Sequence, residues 1–108
     1  MKLKFELRRY RDSSKRVPYS EWFRGLDERT AGRVDAYVDR MSTGNFGNTR
    51  SVGGGVAELK INAGPGYRVY YLRDGVEIVI LLCVGDKSSQ AADILRAQAY
   101  AGDYWERR

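Results

Sequence analysis

Residues 3–10, LKFELRRY, alternate: Leu3, Phe5 and Leu7 fall on one side, Lys4, Glu6 and Arg8 on the other. A period of two predicts a half-buried strand. RDSSKR, 11–16, is polar and predicts a loop. Pro18 then opens a short helix over 18–26, ending near Gly25, since proline suits a first helical turn. Asp27 is placed to cap a second helix running to about Ser42. Its Ala31, Val34, Val38 and Met41 make one apolar stripe. Gly44 stands where a terminating glycine belongs. The two helices read as an αα-hairpin, and glycine-rich 45–55 reads as a loop.

Three strands and a helix follow. VAELKI, 56–61, alternates, and NAGPG turns the chain into YRVYYLR, 67–73. Asp74-Gly75 is a strong hairpin signal. VEIVILLCV, 76–84, is apolar on both faces, which places it centrally in a sheet. A last helix is expected over roughly 89–101, packed through Ala91, Ile94 and Leu95. GDYWERR is expected to fray, with Tyr104 and Trp105 available to dock. The pattern is β-α-α-β-β-β-α. It predicts an α+β fold, a small antiparallel sheet of order 1-4-3-2 with helices on one face.

The two hairpins set a register. Pairing Ile61 with Tyr67 puts Lys60 opposite Arg68 and Glu58 opposite Tyr70. Pairing Arg73 with Val76 puts Arg68 opposite Leu81. Glu58, Lys60, Arg68 and Tyr70 then share one face. Ala57, Leu59, Ile61, Tyr67, Val69, Tyr71, Ile78, Ile80 and Leu82 share the core face. Like charges directly across a ladder destabilise it, so Lys60 against Arg68 asks for an anion. Lys87, just past the last strand, adds a cation at the rim.

Composition narrows the chemistry. The 108 residues fit one domain, 1–108, and carry 19 Lys+Arg against 14 Asp+Glu, net +5. That excess suits a nucleic-acid or acidic protein partner. There is no histidine and a single cysteine, Cys83, in the most apolar segment. An internal disulfide and a cysteine-based zinc site are thereby excluded, and no metal or cofactor is expected. Gly53-Gly54-Gly55 lacks the following Lys-Ser/Thr of a phosphate loop. No membrane span and no signal-peptide apolar stretch are read, so a cytoplasmic protein is expected.

The segments PYSEWFRGLD (18–27), GNFGN (44–48), VGGGVAELKI (52–61), GPGYRVYY (64–71) and GDKSSQAADI (85–94) occur in that order. With them, nearly the whole chain resembles the RelE/HigB toxin superfamily, in its addiction module killer branch. The resemblance implies the same β-α-α-β-β-β-α fold. It implies the toxin of a type II toxin–antitoxin system, held by a small helix-turn-helix antitoxin through which the complex binds its operator DNA. It further implies an endoribonuclease that cuts mRNA on the ribosome without metal, with mRNA and rRNA as partners. Carried over by motif, the site falls on Glu58, Lys60, Arg68 and Lys87. Asp93 stands where better-defined relatives carry a tyrosine, and Glu58 replaces a lysine. Cleavage by the RNA 2′-hydroxyl needs a base, cations for the phosphorane and an acid. Glu58 or Lys60 is the candidate base, Arg68 the phosphate ligand, and Lys87 a second ligand or the acid. Asp93 is an orienting group or a plain first-turn carboxylate. Tyr70 is a candidate to stack on a base, Gln90 either bonds a base or faces solvent, and Arg8, Arg9 and Arg11 either track RNA phosphates or form a charged edge strand that resists edge-to-edge pairing. Two other readings remain: a ParE-like toxin that binds gyrase, and an inactive homologue that binds only its antitoxin.

Overall fold

The computed structural model describes residues 4–108. Leu3, assigned above to the first strand, lies outside them. The elements are β1 (Glu6–Arg9), α1 (Pro18–Phe23), α2 (Glu28–Met41), β2 (Thr49–Gly53), β3 (Val56–Ile61), β4 (Tyr67–Asp74), β5 (Ile78–Asp86), a 3-10 turn (Lys87–Ser89) and α3 (Gln90–Arg107).

The sheet has five strands in the order β1-β5-β4-β3-β2, which corrects the four-stranded order 1-4-3-2. The added edge strand, β2, lies in the stretch read as loop and pairs antiparallel with β3. Gly53, Gly54 and Gly55 turn between them, all at positive φ (90°, 64° and 77°), a conformation open to glycine at little cost. The sheet is mixed rather than antiparallel, because β1 runs parallel to β5. No tight turn joins those two strands, so nothing obliges them to oppose.

Helix α2 forms as its sequence dictates. The Asp27 side chain accepts from the Thr30 amide at 2.7 Å, capping the helix. Val34, Val38 and Met41 are buried. Gly44, at φ 94°, closes the end, its amide bonded to the Met41 carbonyl. The α1–α2 hairpin covers one sheet face, where Tyr19, Val34, Val38 and Met41 meet Leu59, Ile61, Val69, Tyr71, Val79, Leu81 and Val84.

The other face is also covered, which corrects the one-sided arrangement. There α3 brings Ala97 and Ala101 onto Val56, Tyr70, Leu72, Ile80, Leu82 and Cys83. Of the packing residues expected, Ile94 packs against this cluster, while Leu95 is 68% exposed and Ala91 is exposed. The helix runs on through the tail to Arg107, and the Tyr104 hydroxyl bonds Asp74 at 2.5 Å.

The β3–β4 register has Ile61 opposite Tyr67, Lys60 opposite Arg68 and Glu58 opposite Tyr70. The β4–β5 register is corrected. Asp74 pairs with Ile78, so three residues turn the hairpin, and Arg73 faces Val79 instead of Val76. A three-residue slip is odd, and an odd slip exchanges the faces of a strand. Ile78, Ile80 and Leu82 therefore pack under α3, while Val79 and Leu81 meet the αα-hairpin. A bulge between Tyr70 and Tyr71 then sets Arg68 opposite Gly85 rather than Leu81.

Candidate anion-binding cleft

Beyond the first turn of α3, the α3-side face of β3 and β4 is left open. There Asn48, Arg50, Glu58, Lys60, Arg68 and Gln90 line a cleft of about 300 Å³. The ladder puts Glu58 between two arginines. Arg50 on β2 is its cross-strand partner, and Arg68 lies diagonally across on β4.

Arg68 is 6% exposed. Its Nη1 donates to the Gly66 carbonyl at 3.1 Å. Its Nε is buried and has no hydrogen-bond partner. The nearest carboxylate oxygen, Glu58 Oε2, is 3.8 Å from that nitrogen, an ion pair too long for a hydrogen bond. A buried, unspent guanidinium N–H carries a desolvation cost. A phosphate or carboxylate oxygen that displaced the groups now covering it would satisfy it.

Glu58 is buried at 3% exposure and takes three donors. Arg50 Nε reaches Oε1 at 2.9 Å, Gln90 Nε2 reaches Oε2 at 2.8 Å, and the Tyr70 hydroxyl reaches Oε2 at 3.2 Å. Burial alone pushes its carboxyl up, but the bonds from Arg50 and Gln90, the Arg50 charge and Tyr70 together hold it below the ordinary glutamate range. Glu58 is thus an ionised clasp. Arg50 is exposed, lines the cleft and spends only Nε on that clasp. Lys60 is exposed beside buried Arg68. The two cations are separated in depth as well as across the ladder.

Four of the expected residues come together here: Glu58, Lys60, Arg68 and Gln90. Others do not. Tyr70 is fully buried under α3, so it cannot stack on a base, and burial with the Glu58 charge pushes its hydroxyl pKa up. Lys87 is exposed in the turn after β5 and does not line the cleft. Asp93 is 4% exposed and does not line the cleft; it is bonded by Ser89 Oγ at 2.5 Å and Arg96 Nη2 at 2.6 Å. Arg8, Arg9 and Arg11 line a separate cleft of about 240 Å³ with Arg107 and Arg108. Within that group Arg8 pairs with Glu6, and Arg9 bonds Ser20 and lies over the Tyr19 ring.

Asn48 and Arg50 were missed because their segment read as loop. The signal was the arginine itself, which becomes meaningful only once β2 pairs with β3. Among the described residues no group of three or more His, Cys, Asp or Glu is placed to hold a metal ion, and no helix is long and apolar enough to cross a membrane.

Fold and cleft together define a small α+β protein with a five-stranded mixed sheet and a buried arginine at a cationic opening. The chain belongs to the family described as "Phage derived protein Gp49-like (DUF891)", whose model matches residues 21–98. This family is associated with toxin–antitoxin systems and related to RelE-like toxins, and its toxins generally pair with an antitoxin. An uncharacterized protein of Haemophilus influenzae is 42% identical over 86 residues, covering 79% of this chain and 87% of that protein.

Proposed function

We propose that this chain is the toxin of a type II toxin–antitoxin pair, of the RelE/HigB kind, and that it cleaves mRNA on translating ribosomes. The observation that carries the reading is the unpartnered, buried Nε of Arg68, set in a cleft that also holds Arg50 and Lys60. Guanidinium groups bind phosphate bidentately and stay charged at any working pH. Such a cleft suits a scissile phosphodiester and the extra charge of its phosphorane.

In this reading the RNA 2′-hydroxyl gives its proton to a base as its oxygen attacks phosphorus, and the bond from phosphorus to the 5′-oxygen breaks as that oxygen takes up a proton, leaving a 2′,3′-cyclic phosphate. Arg68 and Arg50 hold the phosphoryl oxygens. Glu58, already engaged by its donors and held ionised, orients both guanidinium groups instead of taking the 2′-hydroxyl proton. Lys60, the exposed amine at the opening, is left as the proton-transfer group. Gln90 and Asn48, which line the cleft, would bond a base edge, and Lys87 would meet the RNA outside the cleft. The arginine cleft of Arg8, Arg9, Arg11, Arg107 and Arg108 supplies sequence-independent contacts to rRNA or mRNA phosphates. The partner that silences the toxin is a helix-turn-helix antitoxin, and both act in the cytoplasm.

One observation favours a second reading. Tyr70 and Asp93, two residues expected to act on RNA, are buried and do not line the cleft. A protein that only binds, whether to gyrase or to its antitoxin, needs neither. Primer extension on ribosome-bound mRNA separates the two. Cleavage by the wild type that Arg68→Ala abolishes supports the nuclease. Equal cleavage by both removes the proposed site, and no cleavage with inhibited gyrase supercoiling supports the binding reading.

A further inference from the structure

Four charged side chains among the described residues are buried: Glu58, Arg68, Asp74 and Asp93. Glu58 and Arg68 line the cleft. Asp74 is held by Tyr104 and Arg108 at the far end of α3. Asp93 has no such evident use, and its surroundings are specific. Its carboxylate lies so close over Gly85 that a β-carbon there would overlap Oδ2. Gly85 is the residue paired with Arg68 across the sheet.

Ser89 is the residue before the first turn of α3, where a serine ordinarily accepts a bond from a helix amide. Here its side chain makes no cap bond and its hydroxyl donates to Asp93 instead. A cap interaction is forgone in favour of the carboxylate. Arg96 closes the other oxygen from one helical turn on. The next residue after Ser89 is Gln90, whose amide donates to Glu58. Glu58 in turn holds Arg50 and faces Arg68. A continuous set of contacts thus joins Asp93 to both guanidinium groups without Asp93 touching the cleft.

We propose that Asp93 is a positioning residue for the phosphate cleft. By seating the start of α3 on Gly85 and holding Ser89, it sets Gln90 against Glu58, and through Glu58 the aim of Arg68 and Arg50. This rests on reading the cleft as a phosphate site. It assigns Asp93 a role other than proton transfer, and it explains why position 85 is glycine although its backbone is not in the left-handed region.

The test is nitrogen-15 NMR of the Arg68 Nε–H and the Gln90 side-chain amide, with titration by inorganic phosphate. In folded Asp93→Ala both signals should move, and phosphate should bind about tenfold more weakly, the size expected when one member of a coupled contact set is lost. Asp93→Asn keeps an acceptor for Ser89 and should restore most of the affinity. Met41→Ala, a destabilising change under the opposite sheet face, should leave both signals in place, which separates positioning from general loss of stability. Unchanged signals and affinity in folded Asp93→Ala overturn the proposal. If that variant does not fold, Ser89→Ala carries the test, with the same shifts expected and their absence equally fatal. A wild type that binds no phosphate would end the phosphate reading of the cleft, while the two signals would still decide the role of Asp93.

Discussion

Glu58→Ala is the sharpest perturbation of the cleft. The substitution removes a carboxylate that accepts from Arg50, Gln90 and Tyr70 and faces buried Arg68 at 3.8 Å. The Arg50 contact is with an exposed side chain and is worth about 0.5 kcal/mol. The Gln90 bond, to a buried charge, is worth roughly 1.5–3 kcal/mol. Leaving Arg68 without its carboxylate costs up to roughly 3–5 kcal/mol in a sealed interior. The cleft admits water and the pair is long, so the lower part of that range applies, and the terms overlap. The expected loss is about 3 kcal/mol, a large share of a typical domain's stability. Urea unfolding at neutral pH reads it as a lower midpoint at an unchanged slope. The sign with pH is fixed by the lowered carboxyl. Its stability contribution is complete above the ordinary glutamate value of 4.5 and is lost as pH falls through the folded-state value. The gap between wild type and Glu58→Gln should therefore narrow in acid. Replacing the pair together, Glu58→Leu with Arg68→Met, should cost far less than either single change. A Glu58→Ala loss under about 1 kcal/mol, or a Glu58→Gln gap that does not narrow in acid, would refute the clasp.

Other expectations follow from the same contacts. Met41→Ala empties a fully buried site under the αα-hairpin and should cost roughly 2–5 kcal/mol in urea unfolding, with phosphate binding unchanged. Cys83 is buried and its thiol is pushed up to about 12 by burial, with Arg96 opposing and Asp93 adding, so a disulfide reagent at neutral pH should label it only in urea. The Tyr10 hydroxyl is pushed up to about 12, by burial first and then by its bond to Asp103. Ultraviolet titration should show a late-ionising tyrosine that Tyr10→Phe deletes.

Legibility in the sequence followed local constraint. Helix α2 was readable because a capping aspartate, an apolar stripe and a terminal glycine agree. The β3–β4 register was readable because a short loop joins two alternating strands. The β5 register was not. Its residues are apolar on both faces, so a slip that exchanges Ile80 with Leu81 leaves the pattern equally satisfied. The covering by α3 was hidden for a related reason. Its buried positions are Asp93, Ala97 and Ala101, a carboxylate and two alanines, while the conspicuous Leu95 faces solvent. Strand β2 is a polar edge strand with no apolar alternation, and only its pairing with β3 defines it.

The pairing of Lys60 with Arg68 shows what a register can and cannot say. Two cations across a ladder imply an anion, but not which one. The structure answers in two layers. Glu58 supplies the internal counter-charge, and it does so from the side, leaving Arg68 Nε without a hydrogen bond. If Glu58 were there only to neutralise Arg68, the economical geometry would be a direct two-point pair. Its oxygens are spent instead on Arg50 and Gln90, from the two elements that wall the cleft. That division of bonds is what a carboxylate does when it holds other groups in place.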